Sequence, residues 1–167
     1  VARRVTWATG TGVFHWREQR PADNADEMGR GVDWGFTSSR GGTSVGDFAS
    51  LNLGGHVGDD PVAVESNRAV LAGILDVDRD HLLFMRQCHG RDIAVVDGPW
   101  SGEPPAVDGL VTTSADLALA VLVADCTPVL MIDKVAGVAE GAHPGAPRTG
   151  GGATGGGDAG RRDAGAR

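Results

Sequence analysis

The chain has 167 residues, a formal net charge of −7, a pI of about 5.1 and a mean hydropathy of −0.12. That acidic balance argues against a nucleic-acid partner, with the pairs Arg3-Arg4 and Arg161-Arg162 read as solvated termini. Val1 to Gly12 contains no apolar run suited to a leader or an anchor, and Cys88 and Cys126 are too few for a disulfide framework, so a cytoplasmic protein without membrane contact is expected.

Trp7, Val13, Phe14 and Trp16 form an early strand candidate ahead of the polar stretch Glu18 to Arg30. Trp34 to Thr37 reads as a short strand that ends in Ser38-Ser39-Arg40-Gly41-Gly42-Thr43-Ser44, where the glycine pair permits a tight turn. A helix is predicted to start at Asp59-Asp60-Pro61, with Asp60 as N-cap and Pro61 in the first helical position. Val64, Val70, Leu71, Ile74 and Leu75 then recur on roughly one face, with Asn67 and Arg68 on the same helix.

From Leu82 onward, short apolar runs alternate with turn residues. Leu82 to Met85, Ile93 to Val96, Leu110 to Thr113, Leu117 to Val123 and Val129 to Ile132 are predicted strands, the fourth of them buried on both faces. Val135 to Ala142 is placed to return alongside the fourth. One helix among this many strands predicts an α+β or mixed α/β domain around a largely β core, in which usable core-forming sequence ends near Gly141.

His89 lies on a glycine-containing bend in Gln87-Cys88-His89-Gly90, Cys126 follows the fourth strand, and His143 follows Val135 to Ala142. Two imidazoles and a thiolate at loop ends suit zinc, and three protein ligands leave one tetrahedral position open, as in catalytic sites. The separations of 37 and 17 positions do not themselves enforce a geometry. The same side chains also suit a cysteine nucleophile, with Cys126 activated by His89 or His143, and sequence does not separate the two readings. Asp125 is a candidate to hold the second nitrogen of a ligand histidine, or else a turn cap. Arg40, beside the glycine turn's amides, is a candidate anion contact, and His56 a candidate cleft residue; both also read as ordinary loop residues. His15 and His81 read as ordinary.

Phe36 to Ser44, Ser50 to Gly54 with His56 to Asp60, Asn67-Arg68, Gln87 to Gly90 and Ala124 to Leu130 occur in an order that resembles the laccase-domain family over roughly Gly35 to His143. Members of that family go by the names polyphenol oxidase, zinc-dependent purine nucleoside phosphorylase and peptidoglycan editing factor. The resemblance implies a layered α/β/β/α domain with mixed sheets, and it places His89, Cys126 and His143 on the family's metal ligands and catalytic centre. It implies zinc ahead of copper, purine nucleoside and phosphate as substrates, with Arg40 as a phosphate or substrate contact, and adenosine deamination as a further activity. Five histidines are too few for a blue-copper site plus a histidine-rich copper cluster, which argues against classical laccase chemistry in this chain.

After His143 the pattern departs from the family. Pro144 to Arg167 holds 14 Gly or Ala among 24 residues and no Val, Leu, Ile, Met, Phe or Trp. Such a composition offers too little apolar area to offset its ordering entropy. Residues 1–143 are therefore expected to be an incomplete laccase-domain-like catalytic domain, and 144–167 a disordered tail. A reading-frame slip is a sharper alternative, because GC-rich codons for this stretch, shifted by one base, restore an Arg-Gly turn followed by a helical apolar pattern. The classes left open are a zinc nucleoside enzyme, a cysteine hydrolase acting on a small amide or cell-wall precursor, and a non-catalytic remnant.

Overall fold

Val5 and Trp16 are register partners across the antiparallel pair β1 (Arg3–Trp7) and β2 (Val13–Glu18), and Phe14 is the partner of Phe36 in β3 (Trp34–Thr37). The early apolar residues thus belong to two strands of a three-stranded sheet rather than to one. The computed structural model describes residues 3–7, 13–18, 34–124, 126–133 and 135–143, and the chain divides into two units, Val1–Arg79 and Asp80–Arg167. Most of Glu18 to Arg30 lies outside the described residues.

In the first unit, β3 leads into the turn that carries Arg40, where Gly41 has φ 96°. A side chain there would be strained, so glycine fits the position. Helix α1 (Pro61–Leu75) begins as the sequence predicts: Asp60 caps it by accepting from the Val62 amide at 3.0 Å, and Pro61 opens the first turn. It ends at Asp76 in the left-handed region, whose amide donates to the Ala72 carbonyl. Its buried face is Val64, Asn67, Leu71 and Ala72, while Val70, Ile74 and Leu75 are half-buried.

Asn67, 0% exposed, is the polar member of that face. Its Oδ1 accepts from the Thr43 amide at 2.7 Å and the Thr43 hydroxyl at 3.2 Å. Its Nδ2 donates to Ser44 Oγ, the Ser50 carbonyl and the Asn52 carbonyl at 2.9, 3.1 and 2.9 Å. One side chain therefore folds the Arg40 loop and the 50–53 segment against the helix.

The second unit is built on two sheets. β4 (Leu82–Phe84) pairs in parallel with β7 (Ala118–Ala120). The other sheet has the order β5 (Ile93–Val95), β6 (Gly109–Thr112), β9 (Val138–Ala142), β8 (Val129–Asp133), with β5–β6 parallel and the other pairings antiparallel. The mixed α/β class and mixed sheets match the sequence reading, whereas Val138 to Ala142 pairs with β6 and β8 and not with β7, the strand expected beside it.

Burial corrects one expectation. Among the described residues, β4 and β6 are buried throughout, the latter with Leu110 and Val111 at 0% exposure, whereas β7 is half-exposed along its length. β6 has a hydrogen-bonded neighbour on each side, but β4 and β7 share one two-stranded pair and still differ in burial, so pairing alone does not set it. An unbroken apolar run does not reveal which strand will occupy the centre. The core gathers Leu83, Met85, Val96 and Leu110, with Trp100 and Leu119 packed on it, and Trp100 Nε1 donates to the Phe84 carbonyl at 2.9 Å. Each such leucine contributes about 1.5–3 kcal/mol by leaving water, which makes this sheet a firm base for the loops at its ends.

Candidate metal centre

Three loops of the second unit bring His89, Cys126 and His143 together. One donor atom from each lies within 4.8 Å of the other two, and the His89 and His143 rings meet edge to face with centroids 4.8 Å apart. His143 is buried, Cys126 half-buried and His89 exposed, so the trio has an inner end and a solvent-facing end.

The β6–β9 register explains the position of His143. Gly109 pairs with Ala142, so Asp108, one residue before β6, comes opposite His143, one residue after β9. The His143 amide donates to the Asp108 carbonyl at 2.7 Å.

The Asp108 side chain then reaches the bend that carries His89. Its carboxylate accepts from the amides of Cys88, His89 and Gly90, the last two at 2.9 and 2.7 Å, and from the Cys88 thiol at 3.1 Å. Consecutive amides converge on one anion in this way when a residue between them is left-handed, and His89 has φ 58°. That conformation costs a non-glycine residue about 1–3 kcal/mol, which the charge-assisted hydrogen bonds offset.

Burial acts to raise the Asp108 carboxyl, but the Cys88 thiol and the three amides outweigh it and hold the group below the ordinary aspartate range. The same hydrogen bond, followed by burial, pushes the Cys88 thiol up. Cys88 is thereby held as a thiol that donates to Asp108.

A second clamp aligns the loop of Cys126. Gln87 Nε2 donates to the Leu122 carbonyl and the Leu122 amide donates to Gln87 Oε1, both at 2.8 Å. This double bond pattern extends the β4–β7 alignment beyond Phe84 and Ala120, fixing the segment before His89 against the one before Cys126.

His143 Nδ1 is buried and makes no hydrogen bond, although it lies 3.4 Å from Asp108 Oδ1. The proximity is real, while the alignment falls short of hydrogen-bond geometry. A buried imidazole with this environment and two further nitrogen and sulfur donors nearby fits a metal. Tetrahedral zinc holds such donors roughly 3.3–3.6 Å apart, so donors within 4.8 Å of one another would need at most a modest contraction to hold it. Two imidazoles and a thiol suit a borderline-soft divalent ion better than a hard one.

Sequence reading singled out the three side chains that converge here but not the residues that bring them together. Asp108 sits in Val107-Asp108-Gly109, which reads as an ordinary turn before a strand, and its role becomes visible only through pairing of β6 with β9. Asp125, the sequence candidate for holding a histidine, lies outside the described residues.

Arg40 and His56 are exposed in the first unit. The amides of Gly41 and Gly42 donate to Ser50 Oγ at 3.0 and 3.2 Å, so they are engaged internally rather than presented to an anion. Any anion contact from this turn falls to the Arg40 side chain. His81, read from sequence as ordinary, pairs with Asp80 at 2.9 Å, approaches Asp116 at 3.6 Å and groups with Asp78 and Asp80 as a second set of possible metal donors.

Residues 33–153 match the family described as multi-copper polyphenol oxidoreductase laccase. The chain is 57% identical over 114 residues to purine nucleoside phosphorylase ORF3 of Streptomyces griseus, covering 67% of this chain and 46% of that protein. It is 53% identical over 118 residues to purine nucleoside phosphorylase SCO2081 of Streptomyces coelicolor, covering 70% and 49%. The crystal structure of YlmD from Geobacillus stearothermophilus superposes with a TM-score of 0.64 at 32% identity, covering 83% of this chain and 50% of the other. The chain thus spans about half the length of these relatives.

Proposed function

The chain belongs to the multi-copper polyphenol oxidoreductase laccase family, and from that membership we propose that it is a zinc-dependent purine nucleoside phosphorylase with adenosine deaminase as a second activity. The observation that carries this reading is the convergence of His89, Cys126 and His143 within 4.8 Å. These three would hold the zinc ion, which when bound would supply Lewis acidity next to the substrate.

Arg40 is assigned to phosphate and His56 to the nucleoside. Phosphorolysis forms a bond from phosphate oxygen to C1′ and breaks the C1′–N9 bond, with its electron pair leaving on the purine. An arginine suits the phosphate because its planar fork can bind two oxygens while neutralising charge. Deamination adds water at C6 of adenine and releases ammonia. The exposed His89 end of the trio gives a nucleoside access, while the buried His143 end keeps the third donor fixed.

A multicopper arrangement fits less well, since one thiol and two imidazoles fill a single mononuclear site and only His15, His56 and His81 remain for a cluster. No helix among the described residues is long and apolar enough to cross a membrane; we assign the chain to the cytoplasm.

The test is metal analysis of the purified chain coupled to base release from adenosine and inosine, with and without phosphate. Stoichiometric zinc and phosphate-dependent release, both lost on chelation, are expected. Activity that survives chelation but disappears in Cys126→Ser would instead identify a cysteine hydrolase. Metal-free, inactive protein would identify a non-catalytic remnant.

A further inference from the structure

We propose that Asp108 is a positioning residue that sets both histidines of the metal centre, holding His89 through its backbone and His143 through its ring; the inference rests on the metal reading above. Asp108 is 0% exposed, and its contacts go to both histidine-bearing loops at once. On the first, the amides of Cys88, His89 and Gly90 converge on the carboxylate and hold His89 in its left-handed conformation. On the second, the backbone carbonyl accepts from the His143 amide at 2.7 Å, and Oδ1 stands 3.4 Å from His143 Nδ1.

A carboxylate beside Nδ1 favours the tautomer that carries its proton there, leaving Nε2 with its lone pair free for a metal. Because Nδ1 makes no hydrogen bond as it stands, a small ring rotation on metal binding would complete this contact and repay the burial of the imidazole.

Asp108→Asn separates positioning from simple structural support. Gly90 and the Cys88 thiol hold the oxygen at the Oδ2 position. The amide NH2 then replaces Oδ1, facing the His89 amide and His143 Nδ1. Donor faces donor, and His143 is driven toward the tautomer protonated on Nε2.

The experiment titrates zinc(II) and cobalt(II) into the full chain as wild type, Asp108→Asn and Asp108→Glu. Circular dichroism establishes folding, and 15N NMR of labelled histidine reads the tautomer in the metal-free protein. Wild type is expected to bind cobalt with a thiolate charge-transfer band and to carry the His143 proton on Nδ1. Asp108→Asn is expected to fold, to bind either ion about 10–100-fold more weakly, and to shift the proton to Nε2. A folded Asp108→Asn with wild-type affinity, spectrum and tautomer overturns the inference while the metal reading stands. Failure of both variants to fold marks Asp108 as structural and overturns the inference as well. A wild-type chain that binds neither ion overturns both together.

Discussion

Replacing Asn67 with leucine keeps nearly the same volume and removes every polar contact of a fully buried side chain. Two backbone groups lose the partner that Asn67 supplies: the Thr43 amide, bonded at 2.7 Å, and the Asn52 carbonyl, bonded at 2.9 Å. Two others are spared, since the Ser50 carbonyl also accepts from the Ser44 amide and Ser44 Oγ also donates to Asp59. An orphaned buried polar group costs about 1–3 kcal/mol. Thr43 is itself exposed, so water can reach part of its side of the network, and a total loss of about 2–4 kcal/mol is expected. Asn67→Asp should be at least as damaging, because it turns a charged oxygen toward the Ser50 and Asn52 carbonyls in a site closed to water. Urea denaturation followed by circular dichroism measures both. A loss below about 1 kcal/mol for Asn67→Leu would refute the claim that this residue organises the loop.

Gly42→Ala is expected to destabilise by about 1–3 kcal/mol or more, because its Cβ would fall 2.6 Å from Leu51 Cα and collide with the Ser50 carbonyl and Asn67 Oδ1; thermal denaturation checks it, and an unchanged midpoint would contradict the packing. Asp59 is held below its ordinary value of 3.8 by hydrogen bonds from Ser44 and Asn52. Its folded value being depressed, its stabilisation is present above 3.8 and is lost as pH falls through the lower folded value, so Asp59→Asn should reduce the acid dependence of unfolding in that window. Gln87→Ala removes both bonds to Leu122 and should cost about 1–2 kcal/mol while weakening metal binding, which calorimetric zinc titration reads; wild-type affinity would show that the clamp does not align Cys126. For residues 144–167, reading the coding DNA tests the frame slip, and a shifted frame without a helical apolar continuation would reject it.

The local elements were legible in the residues because their causes are local. Asp60-Pro61 starts a helix wherever it stands, since a side-chain acceptor meets a free amide next to a residue already bent for the first turn. Short branched runs between turn residues marked β4 through β8, and ordered motifs along the chain marked the family. Burial was less legible: the uninterrupted apolar run at 117–123 pointed to β7, but β4 and β6 are the strands buried along their whole length.

What only the tertiary structure decided is which polar side chains assemble the metal centre of the second unit and, separately, the Arg40 loop of the first. Asp108 meets Gly90 across 18 positions, Asn67 meets Thr43 across 24, and Gln87 meets Leu122 across 35. None of these residues has a local pattern that distinguishes it from a turn, a helix surface or a loop. Their partners are mostly backbone groups, whose chemistry is the same at every position, so sequence carries the identity of the donors while strand register carries the geometry that brings them within 4.8 Å.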